Sequence, residues 1–363
     1  MEGIGRRDRR RFKGRQRFGP EDGPGRLNAM PDPRTGSWLT EVLDLAARAP
    51  SGHNAQPWLV RVGEPGRLVI VGAGNRRLPA VDPANRELLL SIGAFLENLI
   101  VAARHYGHEL EYRVIAGDAM DTDLVELRDT SADAVPFPLD RIRKRRVVRE
   151  PHSRRELSAG DVAALSQAAG DSVVFISATS AAGKYLRDGT VEAMRVQTCR
   201  DAAQEELSRW IRVWDPHEHR RNDGLTPKAL GISGLAGWYV GRFMRRESVM
   251  KKGFRNATVD MARRQVRSLG GWLVVSSPDS RPATLVETGR KVERMLLGVR
   301  DRMIAVHPMS QMLEETPFRE DAARALGISG AMQFILRAGY LNRYPDPVSP
   351  RRPASSFIVG PQG

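Results

Sequence analysis

Two stretches 196 residues apart share one helical pattern, and that pattern constrains the chain more than any other feature. "SIGAFLENLIVAARHYG" carries Gly93, Leu96, Leu99, Ile100 and Arg104; "TGRKVERMLLGVR" carries Gly289, Val292, Met295, Leu296 and Arg300 at the same offsets. Apolar residues recur every three or four positions in both, so each is read as a helix with one apolar face. An apolar strand and a turn precede each helix, "LVIVGAG" in one case and "WLVVSSP" in the other. Two diverged copies of one α+β unit is the economical reading. A chance likeness of two amphipathic helices is the alternative. At 363 residues and 41% hydrophobic, the chain can bury a core in each of two such units.

Further elements follow from local pattern. Helical spacing over Gly36–Ala49, with Ser37 as a possible cap, stops at Pro50. Trp58–Val62 and Leu68–Val71 read as short strands around the turn "GEPG", and "LEYRVIA" alternates as a third. The acidic, Pro-containing stretch 117–138 reads as a connection between the two units. The expected organisation is a basic extension over 1–35, a first half over 36–135, a second half over 136–353 and a tail over 354–363.

The net charge is +14, of which residues 1–26 supply +5 from nine Lys/Arg and four acids. Such a tail can touch nucleic acid through its charge, but without apolar periodicity it reads as a solvated arm. Met30 also reads as an alternative start. One cysteine, Cys199, excludes an intramolecular disulfide and suits a reducing compartment. The most apolar run, Leu88–Ala103, carries Glu97 and is shorter than the ~20 residues of a membrane helix. A soluble, cytoplasmic protein without a membrane span is expected.

Several motifs compete for the chemistry. "VIVGAGNRR" imitates a dinucleotide loop, but Arg77 stands at the third glycine and Pro79 where the helix should run, so the pyrophosphate would meet no helix end. His217 and His219 could pair on a metal, yet no carboxylate or thiol cluster accompanies them, and no metal site is expected. "RKRRVVRE" (Arg143–Glu150) fits either a solvated helix start or a phosphate clamp of bidentate guanidiniums. The loop "APSGHNAQPW" packs hydrogen-bonding groups between two core segments and occurs once.

Together these pieces resemble the nitroreductase superfamily of FMN enzymes, and within it the tandem, Acg-like branch. The loop is similar to that family's P-S-S-x-N-x-Q-P-W, with Gly52 in place of the second serine. Arg145-Arg146-Val147-Val148-Arg149 fits its R-x-[ST]-x-R clamp with Val147 at the hydroxyl position. "AVHPMSQ" stands where the family places the loop at the flavin N5 edge, and "SPRRP" fits the terminal arginine, with Arg351 the better match. The resemblance spans about 36–353. It implies an α+β fold of tandem nitroreductase-like halves forming an intrachain pseudo-dimer, each half a mixed sheet flanked by helices. It also implies one FMN per chain, held by Pro50, Ser51, Gly52, Asn54 and Gln56 from the first half. The second half would add Arg145, Arg149, Pro308, Met309, Ser310 and Arg351.

On this reading Arg145, Arg149 and Arg351 take the phosphate. Ser51, Asn54 and Gln56 serve the ribityl chain and pyrimidine edge, and Met309 and Ser310 offer a backbone donor at N5. His53 is read as a solvent-facing spacer. No acid or base residue is required, so no catalytic side chain is assigned; the basic segment 209–252 would be a lid. The implied function is NAD(P)H-dependent hydride transfer to a small aromatic, nitro or quinone acceptor. The alternatives are an FMN-storing protein without turnover and a flavin-dependent desaturase. Partners would be small molecules rather than nucleic acid, with the chain a monomer or homodimer.

Overall fold

The first sheet begins from a strand that alternates strictly. In β1 (Trp58–Val62) Trp58, Val60 and Val62 are buried while Leu59 and Arg61 are less so, as a pleated strand on a core requires. The computed structural model describes residues 37–170, 172–213, 220–232 and 234–360. The basic extension, Met30 and the His217–His219 pair lie outside the described residues.

Helix α1 (Ser37–Ala46) leads through the polar loop into β1, which turns back as β2 (Arg67–Gly72). Helix α2 (Arg86–His105) follows, then β3 (His108–Val114) and β4 (Asp123–Ser131). The second part holds α3 (Asp140–Arg143), α4 (Ala159–Ala169), β5 (Val173–Ser177), α5 (Ala181–Cys199) and α6 (Asp201–Trp210). Next come α7 (Gly234–Phe243), α8 (Lys252–Gln265), β6 (Gly271–Ser277) and α9 (Pro282–Gly298). The chain ends with β7 (Ile304–Pro308), α10 (Gln311–Glu314), α11 (Phe318–Leu326), β8 (Ala331–Tyr340) and β9 (Ile358–Val359).

One sheet has the order β3-β4-β2-β1-β9 and the other β5-β6-β8-β7. Within these two sheets the described strand pairings are antiparallel except β1 with β9. The second sheet is covered on both faces. Leu273, Val275 and Leu336 pack toward α4 and α9, while Trp272, Val274 and Ile335 pack toward α5, α8 and α10. That explains why "GWLVVSS" reads as an unbroken apolar run rather than an alternating one.

Helices α2 and α9 lie against each other with their backbones in contact. A Cβ on Gly93 would fall 2.0 Å from the Val286 carbonyl oxygen, and one on Gly289 would fall 2.1 Å from that of Leu90. No side chain fits there, so glycine is required at both positions. Beside the crossing, buried Glu97 accepts from Arg290 at 2.9 Å and from Arg294 at 2.7 Å. By length and composition α2 could cross a membrane, contrary to the shorter span expected, but most of it is buried inside the protein.

Two expectations are corrected. The stretch 117–138 contains β4, which fills the sheet between β3 and β2; Leu124, Val125 and Leu127 are buried on it. The expected tail is part of the first sheet. Ile358 and Val359 pair with Val60 and Arg61, and Phe357 is fully buried among Phe95 and its neighbours. The described residues hold together as one unit.

Candidate active site

A cavity of about 230 Å³ opens where α2, α9, β8, the polar loop and the segment 347–351 meet. Of the residues singled out in the sequence, Pro50, Ser51, Gly52, Asn54, Arg145, Arg149, Pro308, Ser310 and Arg351 line it. Leu90, Ala94, Val292, Leu296 and Phe334 give it an apolar wall.

Gln56 and Met309 do not line it, and each has a stated reason. Gln56 is fully buried: its Nε2 donates to Asn222 O at 2.9 Å and its Oε1 accepts from Arg352 N–H at 2.9 Å. It ties the loop to two distant segments instead of facing a ligand. Met309 buries its side chain among Trp272 and Met312, and its N–H donates to Ile335 O at 2.8 Å. The neighbouring Ser310 N–H makes no such bond among the described residues. Asn54 reaches the cavity, but its amide donates to Gly224 O and Pro350 O and accepts from Arg351 Nη1 at 2.6 Å.

The loop is held in an unusual backbone. His53, Asn54 and Gln56 all have positive φ, at 49°, 55° and 53°, which costs a non-glycine residue on the order of 1 kcal/mol each. The Gln56 N–H donates to Ser51 Oγ at 2.9 Å and closes the turn. His53 is not a solvent-facing spacer. It lines the cavity, and its Nε2 is buried without a hydrogen-bond partner. Burial, reinforced by the Arg149 charge, lowers its pKa to about 4.

The cavity is rich in unmatched positive charge. Arg145 lies 3.1 Å from buried Glu293, yet its Nη1 has no hydrogen-bond partner. Arg149, Arg351 and Arg48 line the wall with no carboxylate within 4.0 Å among the described residues. Burial lowers Arg149 to about 10 and Arg351 to about 9, the second helped by Arg145. His307 stands between Arg149 Nη1 at 3.1 Å and Arg337 Nε at 3.0 Å. Burial and those two charges hold it well below the ordinary histidine value. A neutral imidazole has one acceptor nitrogen, so it can serve only one of the two guanidiniums. Arg337 also donates to the carbonyls of Arg149 and Glu150, at 2.6 and 2.9 Å, and so positions the arginine segment.

Arg48, His53 and Arg337 were not assigned from sequence. Arg48 directly precedes the loop, and its position is the one local signal that pointed to it. Arg337 sits mid-strand in "FILRAGY", where a charge inside an apolar strand marks a buried role. Part of the expected lid borders the site: Leu225 and Ala229 line the cavity. Buried Asp223 fastens this segment by accepting from Arg212 at 2.7 Å and Arg76 at 2.9 Å.

No family model matches the chain. Curated relatives do, over nearly its whole length. The protein named "Putative NAD(P)H nitroreductase Rv3131" of Mycobacterium tuberculosis is 27% identical over 355 residues, covering 94% of this chain and 96% of that one. "Putative NAD(P)H nitroreductase acg" of the same organism is 26% identical over 341 residues, covering 89% and 96%. This chain is nitroreductase-like. A crystal structure of the FMN-dependent nitroreductase NfnB from Mycobacterium smegmatis in complex with NADPH aligns at 17% identity and TM-score 0.34, covering 58% of this chain and 93% of that one.

The departure at Gly52 in this nitroreductase-like chain has a local cause. A Cβ there would lie 2.9 Å from Leu78 Cδ1 and 3.3 Å from Glu87 Oε2. A serine there would press on the ends of the Leu78 and Glu87 side chains, which would have to shift to admit it.

Proposed function

We propose that this chain is an FMN-dependent oxidoreductase that draws hydride from NAD(P)H and passes it to a small quinone or nitroaromatic acceptor. The observation that carries the reading is the convergence of Arg48, Arg149 and Arg351, none with a carboxylate partner, on one buried cavity. Half-buried guanidiniums facing one cavity without counter-charge repel one another and are costly, so the site is built for an anion such as a phosphate. The orphaned Arg145 Nη1 and Arg351 Nε suit the same group. The relatives named NAD(P)H nitroreductases support the donor.

Bound FMN would supply the hydride chemistry. Arg149, Arg351 and Arg48 would neutralise its phosphate. Ser51 would offer a hydroxyl along the polyol, the Ser310 N–H a donor beside the ring, and the wall of Leu90, Val292 and Phe334 would keep water away. We read the two sheets with their paired helices as the two halves of an internal pseudo-dimer, with the polar loop and Arg48 from one and Arg149 and Arg351 from the other. The storage alternative draws on one observation, the bonds from Asn54 and Gln56 that hold the segment 222–224 over the loop; reduction by NADPH without oxygen separates the two.

Arg149→Ala combined with Arg351→Ala tests the reading. Each charged hydrogen bond is worth about 1.5–3 kcal/mol, so FMN affinity falls by about 10²-fold or more in titration by flavin fluorescence. Apo-protein stability changes little, because the lost bonds to Asn54 and His307 are offset by relief of the repulsion between Arg351 and its neighbours Arg145 and Arg48. A wild-type protein that is colourless and takes up no added FMN refutes the proposal.

A further inference from the structure

The same cavity wall carries two carboxyl groups, Glu87 from α2 and Glu314 from α10. They are hydrogen-bonded to each other. Two carboxylates have no donor between them, so one of the pair holds a proton. Neighbours fix both groups. Gln197 Nε2 donates to Glu314 Oε2 at 2.5 Å, and Arg86 Nη2 donates to Glu87 Oε1 at 2.9 Å. Burial raises both carboxyls above their ordinary value; the Glu87 charge raises Glu314 further, while the hydrogen bond with Glu314 lowers Glu87.

The charged groups facing the pair do not remove the shared proton. Arg86 and Arg319 lower Glu87, Asp82 raises it, and Glu315 raises Glu314. Glu315 is itself tied to Arg200 at 2.6 Å.

Position connects the pair to the proposed chemistry. Glu87 Oε2 lies beside Gly52 of the polar loop, 3.3 Å from where a Cβ would stand. Glu314 ends the short helix that Ser310 begins. Arg145 Nη1 and Gln311 Oε1, on the same wall, are buried without partners, so the cavity is shaped for a polar ligand that would complete them.

We propose that the Glu87–Glu314 pair is the proton donor for the reduction carried out in this cavity. The proposal rests on the oxidoreductase reading above. A hydride brings two electrons and one hydrogen. Converting a quinone to its hydroquinone takes one further proton. The shared carboxyl O–H bond breaks, its electron pair stays on the carboxylate, and the proton forms the second O–H bond of the product. NAD(P)H is the reductant, and water reprotonates the pair, since two carboxyls at hydrogen-bonding distance do not both stay ionised.

Glu314→Gln and Glu87→Gln test this. Gln presents an N–H where the shared proton was, so each variant keeps the bond between the two side chains, and the second variant serves where one folds poorly. In the infrared spectrum of the wild type at pH 7 a protonated-carboxyl band is expected, and each substitution removes it. With FMN, NADPH and a benzoquinone, kcat falls 10²–10⁴-fold while KM changes less than threefold, and flavin reduction by NADPH keeps its wild-type rate. Variants that retain the band, or that turn over the quinone at the wild-type rate, overturn the proposal. A changed KM at unchanged kcat also overturns it, and assigns the pair to substrate binding. A wild type that binds no FMN overturns the underlying reading instead, and the band then reports the shared proton alone.

Discussion

Replacing Gly289 by alanine sets two effects of opposite sign against each other. Alanine is the better helix former by about 1 kcal/mol, so at an exposed site Gly289→Ala would stabilise α9. Here the new Cβ would fall 2.1 Å from the Leu90 carbonyl oxygen and 3.0 Å from its Cα. Ordinary contact begins near 3.4 Å, so α2 and α9 must part by roughly 1.3 Å. The obstacle is backbone, which cannot rotate away as a side chain would. Overpacking of this kind costs about 3 kcal/mol, the upper end of its usual range. The net expectation is a loss of about 2 kcal/mol, or ~30-fold in the ratio of folded to unfolded protein. Urea unfolding followed by the fluorescence of buried Trp58 and Trp272 reads it as a lower midpoint at unchanged slope. Gly93→Ala acts on the same contact, since its Cβ would meet Gly289 Cα at 2.9 Å. Helices already parted by one methyl accept the second at less cost, so the double variant loses less than the sum of the singles. A Gly289→Ala protein as stable as the wild type, or strictly additive losses, would show that the backbones do not touch as described.

Asp223→Ala leaves buried Arg212 and half-buried Arg76 without their shared acceptor and costs about 3 kcal/mol; amide exchange in 220–232 should accelerate, and unchanged protection there would count against the anchor. His152, lowered to about 3 mainly by burial and bonded at 3.0 Å to Val148 O, is neutral in the fold while the unfolded chain takes up a proton below pH 6.5. Stability from this group is therefore present above pH 6.5 and lost as pH falls toward 3, by up to about 1.4 kcal/mol per pH unit. The advantage of the wild type over His152→Gln should shrink across that window, and a constant difference in urea midpoint from pH 7 to 4.5 would refute it.

What could be read in the sequence is what burial imposes on one face of one element. Helices α2 and α9 and strands β1 and β2 announce themselves because their apolar positions recur at the period of the structure, and β6 because it is an unbroken apolar run of strand length. Strand β4 does not: Glu126, Arg128 and Asp129 interrupt it, and Pro136 and Pro138 follow. Its membership in the sheet comes from pairing with β2 and β3, which no local window contains. Strand β9 is two residues long and owes its place to a parallel partner some 300 positions away.

The site divides along the same line. The arginines and the loop were legible as residue types in a spacing. Which atoms remain free was not, because that depends on remote partners. The Gln56 amide is used by Asn222 and Arg352, and the Met309 N–H is used by Ile335. Conversely, Glu87 looks in sequence like an ordinary charge at a helix start, the place a carboxylate stabilises the dipole. Only the fold brings Glu314 against it.

The two charged regions of the wall then become one problem with two solutions. Arg48, Arg149 and Arg351 carry like charges that cannot neutralise one another, since a guanidinium stays protonated. That part of the wall is satisfied only by an anion from outside. Glu87 and Glu314 can relieve their repulsion internally by sharing a proton, so that part needs no external cation and instead holds a transferable hydrogen. A ligand bound by its phosphate at the arginines leaves the proton of the pair available to whatever reacts beside it. The asymmetry between the regions follows from the chemistry of the side chains: one type of group cannot give up its proton at neutral pH, and the other holds one only while its neighbour does not.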